Sequence, residues 1–466
     1  MSRNTHRLLI PFLLAFRTAH AHNHSVLTQE EATAPIDTIL WIHIFLQAAV
    51  WGILFPIGMV FGMSRSRWHV PLQITGIALT FGGYLLGHTH GGREFLPSPH
   101  GAFASILLVP ILAQLALGVY LKLHIHEQTL RPLAVRAHGV VGKSYPVLGW
   151  TQMMFGMIVF RGYCRGEELG QCLAHYIMGG GFIAYGVILA IMLLVGEMWI
   201  RRSGRSPDWW DSWVILLWGI VNTFTEHRGS VWSVKDMQHT ILGVLWWCGG
   251  VLGVYLSRNN QRTVIPSIII ILTGYAMSDH AQGLKLSTKV HAVFGYTLML
   301  AGVTRLLEVC FVAPSYAPAD GVEDDRSDHT LADGTDATHK GRTFRHLPPF
   351  LLVASGLLFM SATDEELQYV HEGGMDHVTY ILIMFSIAFL LYTHIVFLIT
   401  LYSTSGRNAP NDGSASRPPM KMDASGAIEL TAAGTRQPPS GAWYSRVRTE
   451  EPVHVIGNDE EDEGGY

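Results

Sequence analysis

The chain has 466 residues, 49% hydrophobic and only 15% charged, with a formal net charge of −4. So little charge over so long a chain, with apolar runs of roughly 17 to 25 residues, excludes an ordinary soluble domain and a nucleic-acid binder. The pattern is that of an all-α polytopic membrane protein. It is neither a transmembrane barrel, which needs short alternating strands, nor a disulfide scaffold, since there are only four cysteines.

In chain order, residues 1–21 read as a signal peptide. Arg3 and Arg7 precede the apolar stretch from Leu8 to Phe16, and Ala19-His20-Ala21 offers an A-x-A cleavage site. A short outer segment, 22–39, follows. Spans are expected at about 40–63, 68–87, 100–121, 138–160, 174–199, 209–225, 237–256, 263–278, 291–312, 346–362 and 377–402. Basic residues gather on alternate loops (Arg65 and Arg67; Lys122, Arg131 and Arg136; Arg201, Arg202 and Arg205; Arg258 and Arg262; Lys340, Arg342 and Arg345), which are therefore expected in the cytosol. The loop 314–343 and the tail 403–466 are polar, rich in small residues, and expected to be disordered on that same side. Cys164 and Cys172 share one short outer loop, where a disulfide is feasible.

The first four spans, residues 40–160, each have a histidine at or near the start: His43, His69, His100 and His138. His100-Gln114-Gly118 and His138-Gln152-Gly156 both read H-x13-Q-x3-G, and Gly87 also lies eighteen residues after His69. At ~3.6 residues per turn and ~1.5 Å per residue, each glycine returns to the face of its histidine roughly 27 Å along the axis. Alternating topology puts His43 and His100 near the outer face and His69 and His138 near the cytosolic face, each pair on diagonal helices. Neutral imidazoles on facing helices suit axial ligation of haem iron, and two per iron close its coordination sphere for electron transfer. The bland alternative is that small residues pack helices and histidines bond at the interface.

The segment resembles the core of the cytochrome b561 group in its fused-domain version. The matching residues are His43 with Ala49, Trp51, Gly52, Pro56 and Gly58; Trp68 and His69 with Gln73 and Gly76; His100 with Gln114 and Gly118; and His138 with Gly142, Gln152 and Gly156. Ile44 stands where that group usually has Gly, and Gln47 where it usually has Met. The resemblance implies two b-type haems, held by His43/His100 and His69/His138. It also implies transmembrane electron transfer from a cytosolic reductant such as ascorbate, or from a partner reductase, to an outer acceptor.

The remaining domain, 174–402, holds about seven further spans. Asp236 to Gly243 and Ile265 to Glu308, with the run Ile271 to Ser278, resemble the C-terminal domain of fungal Ytp-type membrane proteins, which follows a b561-like domain in the same order. His239 and His291 open two outer span starts, two spans apart, as His43 and His100 do, and are a candidate metal pair with His280. Glu226 is a further candidate neighbour. No G-x-G-x-x-G after a strand, no phosphate loop and no CxxC motif is present. Rival expectations are a histidine-based metal or proton transporter or sensor, and a structural membrane protein with a decayed cytochrome unit. The secretory route suggests the plasma membrane or a vacuolar or other endomembrane.

Overall fold

A computed structural model describes residues 34–166, 169–225, 232, 234–279, 283–312 and 343–409. The expected signal peptide, nearly all of the 314–343 loop, most of the tail, and Glu226, His227 and His280 lie outside the described residues.

Every expected span is a helix. The first four are α1 (Thr38–Met63), α2 (His69–Thr89), α3 (Pro99–Lys122) and α4 (Arg131–Arg161). Then come α5 (Leu169–Leu194), the short α6 (Glu197–Ser203), α7 (Pro207–Thr225), α8 (Val234–Leu256), α9 (Ile265–Ser278) and α10 (Lys285–Leu307). The last three are α11 (Leu347–Met360), α12 (Asp364–Glu372) and α13 (His377–Thr404). Among the described residues, seven helices are long and apolar enough to cross a membrane: α1, α2, α3, α5, α8, α10 and α13, with α11 and α12 a further pair bent by 75°. Fewer helices qualify than the eleven spans expected, for local reasons. α9 and α11 have 14 residues each, about 21 Å of rise. α4 carries Arg131, Arg136 and Lys143, and α7 opens with Asp208 and Asp211. Phe45, Val109, Val140 and Leu390 are exposed on the helix exteriors, where hydrocarbon is the natural solvent.

In the second half, glycines bring backbones together. A Cβ on Gly179 would lie 2.6 Å from the Gly356 carbonyl, one on Gly274 2.6 Å from that of Gly295, and one on Gly219 2.9 Å from that of Gly243. These contacts fuse α5 to α11, α9 to α10 and α7 to α8, the close approach that small residues allow between membrane helices.

Where α7, α9 and α10 meet, five charges cluster, with Asp208, Asp211, Arg305 and Glu308 buried and Arg262 half-buried. Arg305 donates to Asp208 at 2.8 Å, to Asp211 at 3.0 Å and to Glu308. Arg262 reaches Asp208 at 2.5 Å and Glu308 at 3.3 Å. Three carboxylates and two guanidiniums leave a formal surplus of one negative charge. Such a cluster rests on mutual compensation, because each ion has lost its hydration.

At the other end of the second half, the disulfide Cys164–Cys172 closes the loop between α4 and α5. Both carboxylate oxygens of Glu365 accept from the Cys164 amide, at 3.0 and 2.9 Å. The Tyr163 hydroxyl donates to Glu366 at 2.8 Å. Burial, then the Glu366 carboxylate, raises the Tyr163 pKa and keeps the phenol a donor. The Arg161 guanidinium lies over the Tyr369 ring at 3.9 Å. The loop thus latches α12 to α4.

Two expected outcomes follow. Arg305→Met leaves three buried carboxylates with one cation and should cost about 3–5 kcal/mol, read as a loss of thermal stability in detergent. Cys164→Ser opens a short loop and should cost about 2–3 kcal/mol, with intact-mass analysis of alkylated wild-type protein finding these two cysteines unlabelled until reduction.

Candidate functional site

The site is built by α1 to α4, and begins with an irregularity. α1 contains a π-helical turn over Val50–Leu54, which holds one residue more than an α-helical turn. α2 carries His69, Gln73, Thr80, Gly83 and Gly87 at offsets 0, 4, 11, 14 and 18, and α1 carries His43, Gln47, Phe55, Gly58 and Gly62 at 0, 4, 12, 15 and 19. The two series are identical up to the π turn and differ by one residue after it. The extra residue restores the phase that the count appears to break.

That shared frame produces reciprocal contacts. His43 Nδ1 donates to the Gly83 carbonyl at 2.6 Å, and His69 Nδ1 to the Gly58 carbonyl at 2.8 Å. Gln47 Nε2 donates to the Thr80 carbonyl at 3.1 Å, and Gln73 Nε2 to the Phe55 carbonyl at 3.4 Å. A carbonyl can only accept, so both imidazoles carry their proton on Nδ1 and leave Nε2 as the nitrogen with the lone pair. Each ring rests on a bare glycine of the other helix: a Cβ would meet His43 Cε1 at 2.6 Å from Gly87, and His69 Cε1 at 2.8 Å from Gly62.

α3 and α4 repeat the arrangement with the glutamines moved along the helix. Gln114 Nε2 donates to the His138 carbonyl at 3.1 Å, and Gln152 Nε2 to that of His100 at 3.0 Å. His100 Nδ1 donates to the Gln152 carbonyl at 3.2 Å. Gly156 seats His100, at 3.1 Å from a Cβ to Cε1, and Gly118 lies beside His138 at 3.6 Å. His138 Nδ1 is buried without a hydrogen-bond partner among the described residues. The eighteen-residue glycine therefore serves the histidine of the adjacent helix, not its own.

Across the bundle the diagonal rings meet. His43 and His100 have ring centres 6.2 Å apart at 88°, and His69 and His138 6.1 Å apart at 90°. Between the two pairs lies a dry layer in which Trp51, Phe55 and Tyr145 stand 4.9 to 5.5 Å from one another. Gly149 and Gly76 make room for Trp51 and Phe55.

In the second half, the imidazole facing His291 is that of His175, 5.7 Å away between ring centres. His239 stands on α8, where its backbone carbonyl accepts from Asn222 Nδ2 at 3.1 Å. α8 packs on α7, whereas His291 on α10 faces α5 and α11. His175 stands near the start of α5. Its place next to His291, and the role of Arg305, were missed; the signal for Arg305 was an arginine inside an apolar run. Cys164, Cys172 and Glu365 cluster within metal-ligand range, but the sulfurs are joined and offer no thiolate.

Residues 148–403 match the family described as "Protein YTP1-like, C-terminal", and residues 23–124 match a domain of unknown function, DUF2427. Protein YTP1 of Saccharomyces cerevisiae is 45% identical over 258 residues, covering 54% of this chain and 52% of that protein. Two proteins titled uncharacterized membrane protein, from Schizosaccharomyces pombe and Saccharomyces cerevisiae, are 23% identical over 217 and 288 residues. They are matched over 36% and 50% of this chain and 42% of each relative. The chain thus spans about half the length of the curated relatives it matches, or less. No solved structure matches.

The seating predicts an asymmetry between glycines. Gly87→Val drives a side chain into the His43 ring and should destabilise the protein by about 1–3 kcal/mol in thermal unfolding. Gly118→Ala adds only an ordinary contact and should be close to neutral.

Proposed function

The chain belongs to the YTP1-like family, and we propose that its first four helices form a b-type cytochrome with two haems that carries single electrons across the membrane. The observation that supports this reading best is the pair of diagonal imidazoles at each end of the bundle. Two imidazoles that shared one metal ion at about 2 Å each would have ring centres up to roughly 6.4 Å apart. The observed 6.2 and 6.1 Å lie close to it. His43, His69 and His100 turn Nε2 away from their anchoring carbonyls, and the glycine seats make a cradle that any Cβ would fill. Haem, when bound, would supply a one-electron centre at each end.

The protein's own part is to hold and insulate. The Nδ1 bonds fix the tautomer and ring orientation and raise ligand basicity. The glutamines tie each histidine helix to its neighbour. The layer of Trp51, Phe55 and Tyr145 excludes water between the two ends. The positive-inside pattern assigns His69/His138 to the cytosolic side and His43/His100 to the outer side. Electrons would then pass from a cytosolic reductant, of the ascorbate type or a partner reductase, to an outer acceptor. The secretory reading of the N-terminus favours the plasma membrane or a vacuolar or other endomembrane. A glycine of the neighbouring helix beside each of the four histidines argues against a decayed unit.

The test is a reduced-minus-oxidised spectrum of full-length protein purified from haem-replete cells. About two b-type haems per chain are expected. His100→Ala should remove one and spare the other. Deleting Ile53 removes the extra residue of the π turn, rotates one part of α1 by about 100° against the other, and should also cost one haem. Wild-type protein without a Soret band would overturn the reading.

A further inference from the structure

We propose that α13 is a splint for α1: His394 supplies the donor that the Gly52 carbonyl loses to a proline, residues 405–407 clasp the far end of α1, and together they position His69 opposite His138. The clause about His69 rests on the haem reading; the splint itself does not.

Pro56 opens the gap. In an α-helix the carbonyl of residue 52 accepts from the N–H of residue 56, and proline has no N–H. Within a membrane span, a backbone group freed in this way is met by a local change of winding or by a side chain of a neighbouring helix. The π turn over Val50–Leu54 is the change of winding. His394 is the neighbouring side chain. It lies seventeen residues into α13, an imidazole in mid-span, where an ionisable group calls for a polar partner. The backbone acceptor beside its ring is the Gly52 carbonyl. Its Nε2 is buried and has no hydrogen-bond partner among the described residues. An imidazole nitrogen without a partner thus stands next to a carbonyl without its helical donor, and a small rotation of the ring makes the bond.

The far end is fastened as well. The Ser64 and Ser405 hydroxyls are 2.8 Å apart, and the Arg407 N–H donates to the Ser64 carbonyl at 2.8 Å. Gly406 has a φ of 58°, and a Cβ there would overlap the Ser64 carbonyl, so the approach requires glycine. The two fastenings are in register. Gly52 and Ser64 are twelve residues apart and His394 and Ser405 eleven, roughly 18 and 17 Å of helical rise. Between them α13 packs along α1. The groups of α1 that place His69 lie in this stretch: the Gly58 carbonyl, the Gly62 seat, and the Phe55 carbonyl that holds Gln73. His43 and Gln47 lie before the π turn, outside it. The splint therefore serves one imidazole pair, and it ties the second half of the chain to the first four helices.

The experiment uses full-length protein in detergent. Hydrogen–deuterium exchange needs no haem. Peptides covering residues 55–69 should exchange about fivefold faster in His394→Phe, the factor of one net hydrogen bond. They should also exchange faster in Gly406→Val. Peptides covering residues 38–49 should be unchanged, and His394→Gln, which keeps an N–H, should stay near wild type. Potentiometric titration of the haem spectrum should show one midpoint displaced in His394→Phe and restored in His394→Gln. The displacement should persist in a His100→Ala background and vanish with His69→Ala. Should a variant fail to fold, Ser64→Cys with Ser405→Cys in the otherwise wild-type chain should cross-link on mild oxidation, read as a joined peptide by mass spectrometry. Exchange that is unchanged, or faster by the same factor along the whole chain, or a cysteine pair that does not join, overturns the splint. A displaced midpoint at the His43/His100 site, or at neither, overturns the positioning of His69. Wild-type protein without haem overturns the haem reading and the His69 clause with it, while exchange and cross-linking still decide the splint.

Discussion

An imidazole buried between membrane helices must have one nitrogen satisfied and a space to lie in. In the first four helices both needs are met from the neighbouring helix. A carbonyl takes the Nδ1 proton of His43, His69 and His100, and for His43 and His69 a glycine four residues further along that neighbour takes the ring. The two requirements lock the helix phase, because a carbonyl and a glycine four residues apart share a face only in a regular helix. The rest of the bundle follows. α1 and α2 hold each other's histidines, α4 holds His100 of α3 in the same way, and the two hairpins then meet ring to ring across the diagonal.

The π turn in α1 is a consequence of the same constraint. His43 must face Gly83 and Gly87 while Gly58 and Gly62 face His69, and the sequence between them is one residue too long for an α-helix. Wound as a plain helix, α1 would turn one of the two ends away by about 100°. A wide turn absorbs the residue and keeps both ends in register, as π turns often do beside functional groups. His394 of α13 lies beside the Gly52 carbonyl inside that turn, so the second half also touches the irregular segment.

Much of this was legible in the sequence. Helical periodicity made the eighteen-residue frame visible in three helices, and span order separated the histidines into two ends. Three things were hidden. The fourth frame was masked because an inserted residue has no compositional signature; Gly62 simply stood nineteen residues from His43. Spacing along one helix also gives a phase but not a neighbour, so nothing told which ring would rest on Gly87. For the same reason His239 seemed the natural companion of His291: both open spans at the same end. Glycine-to-backbone packing of α7 on α8 and of α5 on α11 decides otherwise, and that pairing depends on the fit of whole helix surfaces.

The two halves spend their glycines differently, and the difference bears on transport. In the first four helices the glycines that touch a neighbour receive side chains, which are exchangeable contacts. In the second they receive backbones, which leaves little room. α10 shows the result. His291 stands toward one end and Arg305 fourteen residues, or roughly 21 Å, toward the other, with Phe294, Leu298 and Ala301 almost fully buried between them. The polar side chains buried on α10 between them are Thr297 and Thr304, whose hydroxyls donate to carbonyls of their own helix, so an ion moving along α10 would cross this layer at a cost of several kcal/mol. At one end the imidazole pair is held by its own helix turns, and at the other the five-charge cluster compensates itself. The described conformation therefore suits two separate, fixed polar sites better than a conduit. A transporter reading would require α5 to part from α11 or α9 from α10, against glycine contacts that bring those backbones as close as residues without Cβ permit.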